Sequence, residues 1–177
     1  MPTIGLIVDG QYDRKAISAL LQKARSKIKI KARQCGGGRN NSKAIGILKI
    51  FERERNVDFA IWVTDAENDD PLEVEKLMNE AVKRAQPLEL KVKCIVAVRM
   101  LESWLLADEA AIRKAGGRPR KFTKPEDLQN PKADLRRLFD HPYTDALAER
   151  IALAARPKTI ADMCPSFAKL LNAVAGN

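Results

Sequence analysis

The most constraining feature of this sequence is an alternation, over residues 1–100, of short apolar runs with stretches of helical periodicity. Residues 3–8 form a nearly continuous apolar run of strand length, as expected of a strand covered on both faces. Residues 27–33 alternate strictly, with Ile28, Ile30 and Ala32 set against Lys27, Lys29, Lys31 and Arg33. That pattern predicts a half-buried strand at a sheet edge, where lysines discourage edge-to-edge pairing. Residues 58–64 and 91–98 complete a set of four strands. Helices are predicted over 13–25, over about 42–55 behind a Ser42 cap, and from Pro71 behind an Asp70 cap. Strands separated by helices imply right-handed crossovers. The expected fold is therefore α/β: a mainly parallel four-stranded sheet flanked by helices over residues 1–100. A helical extension over 101–177 should pack on that core as part of one compact domain.

In such a sheet, functional groups gather at the carboxyl ends of the strands. Asp9 follows the first strand, and Asp65 follows the third in Asp65-Ala66-Glu67-Asn68-Asp69-Asp70. Glu102 follows the fourth. Converging carboxylates repel one another, and a hard divalent cation relieves that repulsion. Such an ion orients phosphates and stabilises their developing charge. Asp9, Asp65, Glu67 and Asp69 are thus candidate ligands for Mg²⁺ or Mn²⁺. Asp65 and Glu67, two apart, point to one side of an extended segment, and Gly10 after Asp9 lets a ligand approach the backbone. Asp13 and Asp70 are better explained as helix-capping residues, and Glu102 could equally begin the following helix.

Lysine and arginine exceed the acids by 32 to 23, and the net charge of +9 favours a polyanionic partner such as nucleic acid. Gly37, Gly38 and Arg39, at a strand–helix junction, are candidate phosphate contacts. Arg118, Arg120 and Lys121 in the basic stretch 116–124 are further ones, set against the plain alternative of a solvated loop. Trp62 and Trp104 have apolar neighbours and read as core, and His141 before Pro142 reads as structural. The three dispersed cysteines form neither a disulfide framework nor a zinc pattern and suit a reducing cytoplasm. The amino-terminal apolar run has no basic leader, so neither a signal peptide nor a membrane attachment is expected.

Asp9-Gly10 after the first strand and Asp65-Ala66-Glu67 after a later one resemble the metal-binding pattern of the Toprim superfamily, the catalytic fold of topoisomerases, primases and OLD-family nucleases. Aspartate stands where that pattern usually has glutamate, and Glu67 where it usually has aspartate. Over nearly its whole length the chain is similar to a bacterial Toprim-like family described as a domain of unknown function. That likeness is carried by Leu6-Ile7-Val8-Asp9-Gly10-Gln11-Tyr12-Asp13, Gly36-Gly37-Gly38-Arg39 and Glu102-Ser103-Trp104-Leu105-Leu106-Ala107-Asp108. Asn130-Pro131-Lys132 and Pro165-Ser166-Phe167 add to it. The resemblance implies a Toprim-like, Rossmann-like fold and metal-dependent chemistry at nucleic-acid phosphodiesters. It implies Asp9 as acid/base or metal ligand and Asp65 and Glu67 as holders of Mg²⁺. Glu102 and Lys132 follow as further catalytic candidates. It also implies a role in phage defence beside a separate ATPase, since the chain carries no Gly-x-x-x-x-Gly-Lys-Ser/Thr loop of its own.

A competing expectation is a module that keeps the fold and binds nucleic acid or a protein without turnover. A phosphohydrolase would want Asp-x-Asp directly after the first strand, where this chain has Asp-Gly-Gln. A receiver domain would want paired acids there.

Overall fold

The computed structural model describes residues 1–37, 41–55, 57–85 and 87–176. Gly38 and Arg39, both candidate phosphate contacts, lie outside the described residues. Strands β1 (Thr3–Val8), β2 (Lys29–Gln34), β3 (Phe59–Asp65) and β4 (Val92–Ala97) form one sheet in the order β2-β1-β3-β4. All three pairings are parallel, as the strand–helix alternation requires. Strand β2 is outermost, as its lysine-lined alternation predicts, although it begins two residues later than expected.

Because successive strand residues face opposite ways, the strands feed two hydrophobic clusters. Ile4, Leu6, Val8, Ile61 and Val63 join α1 (Gln11–Ala24) and the carboxyl-terminal helices on one face. Ile7, Ala60, Trp62 and Val96 join α2 (Asn41–Glu54) and α3 (Pro71–Arg84) on the other. Gly5 is where sheet and helix approach closest: a Cβ there would meet Phe51 Cδ2 at 2.7 Å. Helix α3 starts as expected, with Asp70 accepting from Leu72 N–H at 2.8 Å and Pro71 in the first turn. Helix α1 begins two residues before Asp13, at Gln11, and α2 already includes Ser42, so Ser42 is not the cap that its sequence context predicts.

After β4 come α4 (Glu102–Leu106), α5 (Glu109–Lys114), a 3₁₀ turn (Pro125–Asp127), α6 (Pro131–Arg136), α7 (Asp145–Ala154), α8 (Pro157–Met163) and α9 (Pro165–Ala175). Their apolar faces belong to the same cluster as α1 and that face of the sheet. Trp104 and Trp62 are fully buried, and the Trp104 indole N–H donates to Ser166 at 2.8 Å. Asp108 is also fully buried. It caps α5 and accepts from Arg156 through backbone N–H, Nε and Nη2 at 2.8, 3.0 and 2.7 Å. Among the described residues no helix is long and apolar enough to cross a membrane.

Candidate functional site

The strand order makes one place special. From β1 the chain moves outward to β2, then crosses back over β1 to β3. The loops leaving β1 and β3 therefore diverge and leave a crevice at their carboxyl ends, the usual ligand position in open parallel sheets. Asp9 and Asp65 stand at those two ends.

Asp9 is held from several sides. Its Oδ2 accepts from the Thr64 hydroxyl at 2.5 Å and from Asp65 N–H at 3.3 Å, while the Cys35 thiol lies 3.7 Å from Oδ1. Asp65 Oδ1 accepts from Leu101 N–H at 3.0 Å, which ties the end of β3 to the turn into α4. Asp13, in the first turn of α1, accepts from Gly10 N–H at 2.8 Å. The capping role expected of Asp13 is real. The helix geometry that makes it also points its carboxylate back toward the strand ends. Glu102, the first residue of α4, is only 5% exposed and lies 3.9 Å from Lys132 Nζ on α6. Tyr143, ahead of α7, closes this side. Its hydroxyl is buried against Glu102, with no hydrogen bond of ordinary geometry to any described residue. Its ring packs 5.5 Å from Tyr12, over which Lys132 Nζ sits at 5.3 Å.

These carboxylates influence one another. Removal from water, and then the negative charges of Asp13, Glu102 and Asp9, hold the Asp65 carboxyl well above the ordinary carboxylate range. Burial, followed by Glu102 and Asp9, pushes Asp13 up to about 6 against the pull of its Gly10 hydrogen bond and of Lys132. Burial raises Asp9 as well, opposed by its Thr64, Asp65 and Cys35 hydrogen bonds and reinforced by Glu67. Burial raises the Cys35 thiol to about 12, with Asp9 next in effect, so this cysteine is no thiolate nucleophile at neutral pH. Asp9, Asp13, Asp65 and Glu102 thus form one acidic group drawn from the ends of β1 and β3 and the first turns of α1 and α4.

A family model described as "Domain of unknown function (DUF4276)" matches residues 8–175, a span that includes every member of this group. The chain belongs to the DUF4276 family. The C-terminal region of the Xanthomonas campestris pv. campestris OLD protein is similar over 98% of each chain, at 16% identity and a TM-score of 0.44. That likeness is too slight to transfer fold or function. No curated protein sequence matches.

The other candidates fall elsewhere in this DUF4276 chain. Glu67 takes a left-handed conformation (φ +54°) between β3 and α3. It is pinned by its N–H to Arg99 O at 2.7 Å and by Arg99 Nη1 on its own carbonyl at 3.3 Å. Its side chain is exposed, yet its charge reaches Asp9. Asp69, on the turn into α3, lines a groove with Asp70, Arg99, Glu126 and Asp127. Of the basic candidates, Arg118 bonds Asp140 at 2.9 Å and Arg120 covers the Phe122 ring at 5.5 Å, while Lys121 is exposed. Gly37 has open space on its Cβ side.

Sequence reading missed Asp13 as a member of the group, and it missed Tyr143. The spacing Asp9-x-x-x-Asp13 across a strand–helix junction carries a weak signal for Asp13. Nothing local to residue 143 carries one.

The donor set suits a hard divalent ion. All donors are carboxylate oxygens, and burial followed by their mutual repulsion raises Asp65 and Asp13. Among the described residues, no three His, Cys, Asp or Glu side chains are arranged as a ready metal cage. Mg²⁺ does not need one, since it commonly takes one or two carboxylates and keeps several waters.

Proposed function

We propose that this chain is a Toprim-like, divalent-metal-dependent enzyme that hydrolyses nucleic-acid phosphodiesters. The single observation that carries this is the convergence of Asp9, Asp13, Asp65 and Glu102 at the crevice between the β1 and β3 ends, with Asp65 destabilised as an anion by burial and then by these neighbours. Asp65 and Asp9 are the principal candidates to hold Mg²⁺ or Mn²⁺, with Glu67 and Glu102 at the margins of the site. When bound, the ion would orient the phosphate and lower the pKa of a coordinated water. The protein's own groups would do the rest. Asp9, already steadied by Thr64, would either hold the ion with Asp65 or, left unligated, exchange a proton with the attacking water or the leaving oxygen. Lys132 offsets the charge of Glu102 and offers ammonium donors to a phosphate oxygen. The buried Tyr143 ring shields the Glu102 side of the site from water. A separate ATPase partner, in defence against phage, belongs to the same proposal.

The test uses labelled single- and double-stranded DNA and RNA with Mg²⁺ or Mn²⁺, comparing the native chain with Asp65→Asn. Metal-dependent cleavage that falls by at least about 100-fold in the variant supports the assignment. Equal cleavage by both proteins overturns it. Titration calorimetry with Mn²⁺ alone covers the case in which cleavage needs a partner: binding lost in Asp65→Asn supports the site. Absence of any Mn²⁺ binding by the native chain overturns it. Metal binding with nucleic-acid binding but no cleavage, in the presence of an ATPase partner, would mark a non-catalytic module instead.

A further inference from the structure

Beside the acidic crevice, around the open edge of β2, lies a cavity of about 740 Å³ framed by α1, β2 and α2. Its charged lining is Arg14, Lys31, Arg33 and Lys43 against one carboxylate, Glu54. Lys31 and Arg33, two apart on the strand, project from the same face and both reach Glu54, at 3.5 and 3.0 Å. Among the described lining residues Arg14, Lys31 and Arg33 already outnumber Glu54, so the cavity keeps a positive field. The Arg33 guanidinium is further fixed 5.8 Å from the centre of the Phe51 ring.

Two single-residue steps join this cavity to the carboxylates. Gln34 lines it, and the next residue, Cys35, places its thiol 3.7 Å from Asp9 and its N–H on Val8 O at 2.9 Å. Arg14 lines it too, directly after Asp13. Consecutive Cα atoms are about 3.8 Å apart, so the lining begins one residue from Asp13 at Arg14, and one residue from Cys35, the neighbour of Asp9, at the neutral Gln34.

We propose that this cavity is the track for the nucleic-acid backbone, holding the phosphates that flank the bond brought to the carboxylates. The assignment rests on the phosphodiesterase reading above and names its substrate contact. Charge selects the occupant: a run of phosphates matches the lining, whereas a peptide strand adding to the β2 edge would meet lysine and arginine side chains that discourage such pairing. Phe51, the aromatic residue beside the lining, is fully buried and offers no platform for a base. Recognition here is of phosphates, without sequence preference. The basic residues of 116–124 differ from this lining in place: Arg118, Arg120 and Lys121 are exposed on a loop and do not line this cavity.

The experiment is fluorescence anisotropy with a labelled oligonucleotide of about 16 nucleotides, in EDTA, over a range of salt concentrations. The Lys31→Ala/Arg33→Ala double variant should bind at least about 10-fold more weakly, with a log Kd against log salt slope shallower by about 1 to 2. Glu54→Gln, which removes the competing carboxylate, should bind about 3-fold more tightly. Opposite effects from two neighbouring changes exclude a general folding defect. Unchanged binding by both variants overturns the proposal, as does loss of binding on Arg118→Ala/Arg120→Ala alone. Self-association of the native chain that is abolished by Lys31→Ala/Arg33→Ala would also overturn it, marking the β2 edge as a contact between copies. Because binding is read without metal, these outcomes are independent of the Asp65→Asn cleavage test.

Discussion

Two carboxylates, Asp65 and Asp108, are removed from water in this molecule, and they have opposite electrostatic fates. Asp108 is fully buried, caps α5, and receives three hydrogen bonds from Arg156, which together with the α5 N–H groups hold its pKa below the ordinary value despite burial. Asp65 receives one backbone N–H from Leu101 and is held well above the ordinary value by its burial first and then by the three other acids it faces. The protein can supply a buried acid with a cation of its own, and it does so where the acid's work is structural. At the crevice it collects acids instead, an arrangement that opposes folding and that a bound cation would relieve.

The largest expected effect breaks this contrast at its functional end. Asp65→Asn should abolish metal-dependent cleavage, by about 100-fold or more, while raising the metal-free melting temperature, because it removes a charge the fold resists. A fall in metal-free Tm would show Asp65 to be structural. Next in size is the converse change. Asp108→Asn should cost on the order of 2 kcal/mol through the lost cap and charge-assisted bonds, measured by denaturant unfolding. It should leave the stabilisation by Mn²⁺ intact.

The pH dependence sharpens the same comparison, because the signs differ. Asp108 has a depressed folded-state pKa, so its contribution is present above the unfolded value of about 3.9 and is lost as pH falls through the lower folded value. Asp13 has a raised folded-state pKa of about 6. Between its unfolded value and that one, the folded state holds more protons, so stability falls as pH rises through the window. In EDTA, Tm should therefore peak on the acidic side of neutrality. Asp13→Asn should flatten the decline toward pH 7, and Asp108→Asn the decline toward pH 3. A profile unaffected by either substitution would dissolve the contrast.

The smallest effect belongs to a third carboxylate. Asp140 pairs with Arg118 at 2.9 Å while both side chains are nearly four-fifths exposed. Arg118→Ala should change stability by less than about 0.5 kcal/mol, since water screens the pair and competes for it. A larger loss would mean that loop 116–124 contributes more to the fold than its exposure suggests.

Much of the architecture was legible in the residues. The lysine-alternating segment gave away β2 as an edge strand, and Asp70-Pro71 marked the start of α3, because each depends on short-range geometry. Asp9 and Asp65 could be placed at strand ends for the same reason. Asp13 satisfied a capping pattern so well that its second position, beside Asp65, was hidden. Glu102 remained undecided between starting a helix and joining the site, and the structure has it do both.

The sequence by itself determined four strands, a parallel connection and a supply of acids where strands stop, because side-chain period and turn chemistry act over a few residues. Only the tertiary structure decided that Asp13, Asp65, Glu102, Lys132 and Tyr143 would stand around one crevice, and that the cations of β2 would line a cavity of their own. Those meetings depend on the sheet order β2-β1-β3-β4 and on helices packed from far along the chain. Both are set by burying two apolar faces at once, which no local pattern encodes.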